Sequence, residues 1–508
     1  MKLRFTGRLL LLGVVLLQFL WSRTFPGVQG ILPQWKSLAD GIEYREFYLP
    51  GPNHVYVSRM DRLNPGVTLD TSLAQGRLSG GLETVRDMAK RYDQAINDWG
   101  EVWGGRNQVL VAINGSFYDP QTGIPFSGQV HSAWYAKRFD ERQSGSGFAW
   151  TLDRQAFIGE CVVHPPARQV ITFVKSGDQL AFEGLNRPRG ENDLVIYTPQ
   201  YDSTTLTDDA GLEVLVELSR PLMILPEPAM ITGTVEAVFN GQGSTPIPFD
   251  HIVLSASGSS AAKLGQLALP GDALGFSQEI KHYTASCKTP LDLSWSKTYA
   301  SLGGGYYFLK NGVVQPLGDT GAVFRSPRTA VVFNDRYIYF VVVDGRDRLS
   351  SLGMSMTELA VFARNYLGAA WGVALDGGGS STMVVNGQVM NNPNAELDEG
   401  SSASQSTGSV IERFVANGLM MVVVLPKEQS SRFQAGDQVA ILASGEAFLR
   451  LGPGLNYAVL GTLAPNSQGV ILEHHNHLNG VLASGEYWWK VSFGNLAGWV
   501  SEAQLVGQ

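Results

Sequence analysis

Short apolar runs bounded by turn residues dominate the chain. Residues 170–174, 194–197, 234–239, 252–256, 329–333, 337–343 and 419–425 are rich in β-branched and aromatic side chains and read as strands. Asn334-Asp335 predicts a hairpin between two of them, and Asn386-Gly387 predicts a two-residue hairpin joining 383–385 to 388–390. Helical spacing stands out in two places. Between Gly81 and Trp99, Leu82, Val85, Met88, Ala89, Tyr92, Ala95, Ile96 and Trp99 recur at intervals of three and four, the stripe of a helix lying on a sheet. Ser355 and Glu358 have the form of a capping box, opening a helix whose apolar face is Leu359, Phe362, Ala363, Tyr366 and Leu367 and which Gly368 ends. Strand 337–343, this helix and the run 373–375 make a strand–helix–strand unit. If its two strands are parallel neighbours, Asp344-Gly345-Arg346 and Asp376-Gly-Gly-Gly leave the sheet at one edge.

The 508 residues exceed one ordinary domain, and 58 glycines with 44% hydrophobic residues favour a β-rich, turn-rich chain with sizeable cores. The expected class is α+β: a β-rich, mixed-sheet catalytic domain with a few helices, then a small β-barrel. Boundaries fall at a leader 1–30, an N-terminal segment 31–75, the main domain 76–426, a polar linker 427–434 and a tail 435–508 of short β runs.

The leader carries Lys2, Arg4 and Arg8 ahead of an apolar run from Leu9 to Trp21, as in a secretory signal. The run is short for a full span of about 20 residues, so export, to the periplasm, cell envelope or medium, is the expectation, with an uncleaved signal-anchor as the alternative. A net charge of −8 without a basic run beyond the leader argues against nucleic acid as a partner. Cys161 and Cys287, the only cysteines, read as a disulfide in an exported protein or as two buried thiols.

Candidate chemistry centres on Asp376-Gly377-Gly378-Gly379-Ser380-Ser381-Thr382. A buried strand would deliver the carboxylate to a sheet end, the glycines would let backbone N–H groups converge on an anion, and the hydroxyls could donate and accept hydrogen bonds. Alone, the stretch reads equally as a tight glycine turn. Asn114-Gly115-Ser116-Phe117 places a second polar loop at a strand end. Arg187 and Arg189 suit phosphate but read first as solvated charge. His474, His475 and His477 invite a metal reading, against which a solvated loop weighs more heavily.

Three segments together resemble the phosphodiester glycosidase family: Ile113-Asn-Gly-Ser-Phe117; Ser326-Pro-Arg-Thr-Ala330 with Val343-Asp-Gly-Arg346; and Leu375-Asp-Gly-Gly-Gly-Ser-Ser-Thr-Met-Val-Val-Asn-Gly387. The resemblance covers roughly 75–425. Ser116-Phe117-Tyr118 departs from the second glycine or phenylalanine pair that often follows Asn-Gly in the family. Arg-Leu-Gly-Pro-Gly454 and Gly498-Trp-Val resemble a bacterial SH3-like domain, a less specific match.

The family resemblance implies hydrolysis of a sugar-1-phosphodiester in envelope or exopolysaccharide glycans. Asp376, with Asp344 and Glu358 as further carboxylates, would serve catalysis. Asn114, Arg328, Arg346, Gly377, Gly378, Gly379, Ser380, Ser381 and Thr382 would hold the substrate. Glu358 in a capping box and Asp344 in an Asp-Gly turn each have a structural reading as well. No cofactor is implied; a divalent cation has oxygen donors to hand but no ligand spacing. The tail would attach the protein to the cell wall. A different class of reading is a non-catalytic envelope protein binding glycan through the same groove and the tail, with Trp134, Tyr135, Trp488 and Trp489 stacking on sugars or simply filling the core.

Overall fold

In the computed structural model, an eight-stranded sheet carries the longest apolar runs at its centre. Its order is Lys36–Ala39, Ile42–Leu49, Asn53–Asp61, Tyr337–Val343, Arg328–Phe333, Trp371–Ala374, Tyr306–Lys310 and Val313–Val314. Tyr337–Val343 is buried on both faces, as its unbroken apolar sequence requires, whereas Ile42–Leu49 alternates buried and part-exposed positions. A five-stranded sheet runs Gln388–Val389, Met383–Val385, Gly105–Asn114, Asn417–Pro426 and Val67–Leu73. One apolar cluster joins the two, with Val331, Phe340 and Val342 from the first and Val111, Ile113, Leu419 and Met421 from the second. A further eight-stranded sheet from residues 169–278 shares that cluster through Val214, Val216 and Leu254. The described residues are 34–99, 102–139, 147–220, 231–282, 295, 297–393, 404–407 and 410–508. Lys36–Gln508 forms one compact unit, and the fold is mostly sheet with few helices.

Both hairpins form. Asn334 Oδ1 accepts from the amides of Arg336 and Tyr337, and Asn386 and Gly387 take φ of 49° and 77°, the left-handed pair of a type I′ turn. The capping box is complete: Ser355 Oγ accepts from Glu358 N, Glu358 Oε2 accepts from Ser355 N, and Gly368 ends Met356–Leu367 at φ 63°. Phe362 of that helix meets Phe47 edge-on at 5.2 Å between ring centroids.

The helix expected over 81–99 is shorter. Thr84 caps Val85–Arg91, one 3₁₀ turn follows, and by Ile96 the chain is extended, its amide bound to Pro453 O and Asp98–Trp99 paired with Val102–Trp103. Past Tyr92, Ile96 packs with tail residues and Trp99 against Tyr299 of the main core, burial that an apolar spacing count cannot separate from that of a helix.

The two strands of the strand–helix–strand unit are not neighbours. Arg328–Phe333 lies between them and pairs antiparallel with both. They are therefore parallel in direction, and Val343 and Ala374 end at the edge where Arg328 begins. The expected convergence holds, with the middle strand adding Arg328 to it.

The tail strands form their own eight-stranded sheet around Val439, Leu449, Trp489, Val491 and Val500. Trp488 and Trp499 pack with Phe249 from the main body. Beside them the histidine reading is overturned in one respect: His474 is fully buried, not solvated, and its Nε2 lies 2.8 Å from Asp250 Oδ2. Asn476 N–H donates to His474 Nδ1, which leaves Nε2 to carry the proton toward Asp250. Asp250 Oδ1 is 2.7 Å from His251 Nδ1, and His251 Nε2 is 2.7 Å from Glu236. This chain of hydrogen-bonded groups stitches the tail to the main body.

The predicted leader and Cys287 lie outside the described residues. Cys161 is disulfide-bonded. Among the described residues, no helix is long and apolar enough to cross a membrane.

Candidate functional site

The Asp376–Thr382 stretch is the crossover from one sheet to the other: Trp371–Ala374 belongs to the eight-stranded sheet and Met383–Val385 to the five-stranded one. Such a crossover leaves backbone groups without a ladder, so other groups must satisfy them. Asn114, at the end of its strand, does so. Its Nδ2 donates to Asp376 O at 2.7 Å, and its Oδ1 accepts from Thr329 Oγ1 at 2.7 Å and from Thr382 N at 3.1 Å. Asp376 N in turn donates to Gly115 O at 2.9 Å. Gly115 is required there, because a Cβ would stand 2.1 Å from Asn417 Oδ1, the oxygen that accepts from Ser116 N.

A cavity of about 340 Å³ opens at this edge. It is lined by Asp376, Arg328, Arg346, Arg413, Tyr306 and Phe117, with the backbone of Gly377 and Gly378. Among the described residues this sets three guanidinium groups around one carboxylate, an anion-binding balance. Arg328 is buried at 7% exposure, and burial pulls its ionisation below the usual guanidinium range. Its Nε donates to Met354 O and its Nη2 to Gly321 O and Phe324 O, each at 2.7 Å. Three carbonyls hold its orientation, and among the described residues no carboxylate pairs with it. Arg346 takes a left-handed backbone at φ 63°, uncommon for a side chain of its size and characteristic of functional turns.

Several expected roles change. Asn114 is fully buried with its amide bonded on both sides, so it positions the crossover and does not reach substrate. We expect Asn114→Ala to lower unfolding free energy by about 2–3 kcal/mol, read as a denaturant midpoint shift at constant m value, because three groups lose their partner at once. The converging amides also do not form an open anion nest. Gly378 N donates to Pro327 O, Ser380 N to Gly377 O and Ser381 N to Gly378 O, as a 3₁₀ turn over Gly378–Ser380 demands. Ser380, Ser381 and Thr382 are buried behind that turn, outside the cavity lining, and Gly379 is buried with them.

Asp344 lies beneath the edge and not in the cavity lining. It accepts from Tyr56 Oη at 3.0 Å, Asn391 Nδ2 at 3.1 Å and Asn392 N at 3.0 Å, and burial raises its ionisation above the usual carboxylate range. Asn391 passes this constraint on, donating to Ser381 O and accepting from Met383 N, both at 2.8 Å. Glu358 also stays outside the lining. Burial works against its charge, but hydrogen bonds from Arg325 and Ser355 hold its carboxyl below the usual range, so its capping reading prevails.

Arg187, its side chain 41% exposed, keeps the solvated reading and pairs with Asp193 at 2.8 Å, whereas Arg189 is buried and pairs with Asp208 at 2.6 Å. Tyr135, Trp488 and Trp489 fill the core. Missed by the sequence were Tyr306 and Arg413. Arg413 follows the fully buried Glu412 in a short β run, and that charged pair just before a long apolar strand was the available signal. Among the described residues no three His, Cys, Asp or Glu side chains gather to hold a metal ion.

Residues 234–422 match the family model for phosphodiester glycosidases. The match takes in Arg328, Arg346, Asp376 and Arg413, while Asn114 and Phe117 come from outside it. Among solved structures, a hypothetical protein from Synechocystis shares the fold at a TM-score of 0.50 and 17% identity, over 77% of this chain and 64% of that one. This chain therefore accounts for less than two thirds of that relative. A Burkholderia pseudomallei protein described as exported aligns at a TM-score of 0.47 and 23% identity, covering 73% and 74% of the two chains. The catalytic domain of zebrafish N-acetylglucosamine-1-phosphodiester alpha-N-acetylglucosaminidase, auto-inhibited by its pro-peptide, aligns at 0.31 and 12% identity, covering 79% and 85%. No curated protein matches the chain.

Proposed function

We propose that this protein hydrolyses the bond between a sugar anomeric carbon and phosphate in a glycosyl-1-phosphodiester, in an exported setting where the substrate is an envelope or extracellular glycan. The observation that carries the reading is the single carboxylate of Asp376 facing three guanidinium groups in one cavity. A phosphodiester brings one negative charge, which Arg328, Arg346 and Arg413 offset, most strongly as charge builds on the departing oxygen. The glycosidic C–O bond breaks with both electrons going to phosphate, a leaving group stable without a proton. One carboxylate then suffices: Asp376 stabilises the positive anomeric centre and either bonds to it or takes the proton of the attacking water. Water supplies the hydroxyl of the freed sugar and the remaining proton. The leader and the SH3-like reading of the tail favour export and attachment to the cell wall.

The assay is release of reducing sugar from UDP-N-acetylglucosamine and simple glycosyl-1-phosphodiesters. Turnover supports the proposal, and a protein inert on the whole panel but binding its members would instead be the non-catalytic glycan binder. Because the cavity offers one carboxylate among three cations, a divalent ion gains little there. Incubation with chelator is expected to leave kcat unchanged; loss of activity restored by a divalent cation would overturn that assignment.

A further inference from the structure

A second cavity, of about 320 Å³, lies where the 451–458 loop of the tail folds onto the main body, and it shares no lining residue with the first. We propose that it is a saccharide-binding site completed by the tail, independent of the reaction assigned above.

The strain in its wall is the first sign. His131 and Trp134 end two short strands joined by Ser132 and Ala133, which take φ of 45° and 68°. Two consecutive left-handed residues suit Asn-Gly; Ser-Ala pays for them in backbone strain. The buried carboxylate of Asp70 holds the turn in place, accepting from Ser132 N at 2.9 Å and Ser132 Oγ at 2.5 Å. Gln75, on another wall, is also left-handed at φ 54°. Such outliers persist where surrounding contacts enforce them, and here they present side chains to one cavity.

Unspent hydrogen-bonding groups are the second sign. Gln200 Oε1 is buried without a hydrogen-bond partner, and so is His131 Nδ1, which lies 3.5 Å from Asp70 Oδ1. Among the described residues, the indole N–H groups of Trp103 and Trp134 and the hydroxyl of Tyr457 likewise make no hydrogen bond. Buried polar groups in folded proteins are rarely left so, and two of them beside three further donors open to the same cavity point to a ligand that satisfies them.

The same lining selects the ligand class. Arg77 and Arg91 are already paired, with Asp202 at 3.0 Å and Glu83 at 2.6 Å, so the walls offer no surplus positive charge to an anion. Aromatic faces from Trp103, Trp134 and Tyr457 beside scattered donors and acceptors suit a ring with apolar faces and hydroxyl edges. A neutral saccharide has both, and the volume fits one or two sugar rings. Trp103 and Trp134 come from the main body and Tyr457 from the tail, so the site exists only while the two are docked.

The test uses full-length protein bearing Asp376→Asn, which keeps sugars from being processed in the first cavity. Isothermal titration with glucose, galactose, mannose and N-acetylglucosamine is expected to show one-to-one binding of at least one sugar. Trp103→Ala should weaken that binding about tenfold or more, and Tyr457→Phe, which keeps the ring's packing and the thermal midpoint, about fivefold, the loss of one hydrogen bond. If no sugar of the four binds, or if the sugar that binds does so equally well in the Trp103→Ala, Tyr457→Phe double variant, the proposal is wrong.

Discussion

Asp376→Asn is expected to lower kcat on a glycosyl-1-phosphodiester by about a thousandfold while changing KM by no more than a few-fold. The substitution is isosteric, and the backbone of this residue is fixed independently of its side chain, through Gly115 O on one side and Asn114 Nδ2 on the other. Geometry should therefore survive and only the charge opposite the anomeric centre disappear. The three guanidinium groups proposed to hold phosphate remain, so substrate binding is expected to remain. Steady-state kinetics with a binding titration of the inactive protein checks both halves; a kcat within tenfold of wild type would remove Asp376 from the chemistry.

Asp250→Ala should cost about 3–5 kcal/mol of unfolding free energy, because it leaves a charged His251 and a buried His474 donor without their shared acceptor. The pH dependence of the wild type follows from the same contacts. Burial opposes charge on His251, but its bonds to Asp250 and Glu236 lift its pKa from 6.5 to about 9. A raised pKa stabilises the fold fully below the unfolded value and loses that contribution as pH climbs through the folded one. Stability should thus fall by roughly 3 kcal/mol between pH 6.5 and 9. Asp250 behaves oppositely: burial opposes its charge, yet hydrogen bonds from His251 and His474 hold its carboxyl far below the usual range. Its contribution is present above the ordinary carboxylate pKa and is lost as pH falls beneath it. Chemical denaturation across this range, with His251→Asn as the comparison, measures the alkaline slope, and a slope that survives in that variant would assign it elsewhere.

Local chemistry was legible wherever sequence neighbours satisfy one another. Ser355 and Glu358 close their capping box within four residues, and Asn386-Gly387 makes its turn with two. Arg346 could be placed near Asp376 because the two strands that precede them run parallel in one sheet, while Arg328 came only through the family resemblance. The roles assigned to Asn114, Ser380, Ser381 and Thr382 failed for a different reason. A polar residue at a strand end looks the same in sequence whether it faces a ligand or satisfies backbone in a crossover, and Asn114 is spent on partners 215 to 268 positions away. His474 failed likewise, since its acceptor Asp250 lies 224 residues earlier.

By itself, then, the sequence determined the β-rich class, the hairpins and capped helix, and the stretch opening at Asp376 as the candidate site, because hydrophobic period and turn residues act over a few positions. Only the tertiary structure decided which of those polar groups face solvent. It interposed Arg328–Phe333 between two parallel strands, turned the hydroxyls of the glycine stretch inward, brought Arg413 and Tyr306 to Asp376, and docked the tail through Asp250 and His474. Burial and long-range pairing settle those outcomes, and both arise only when distant segments share one core.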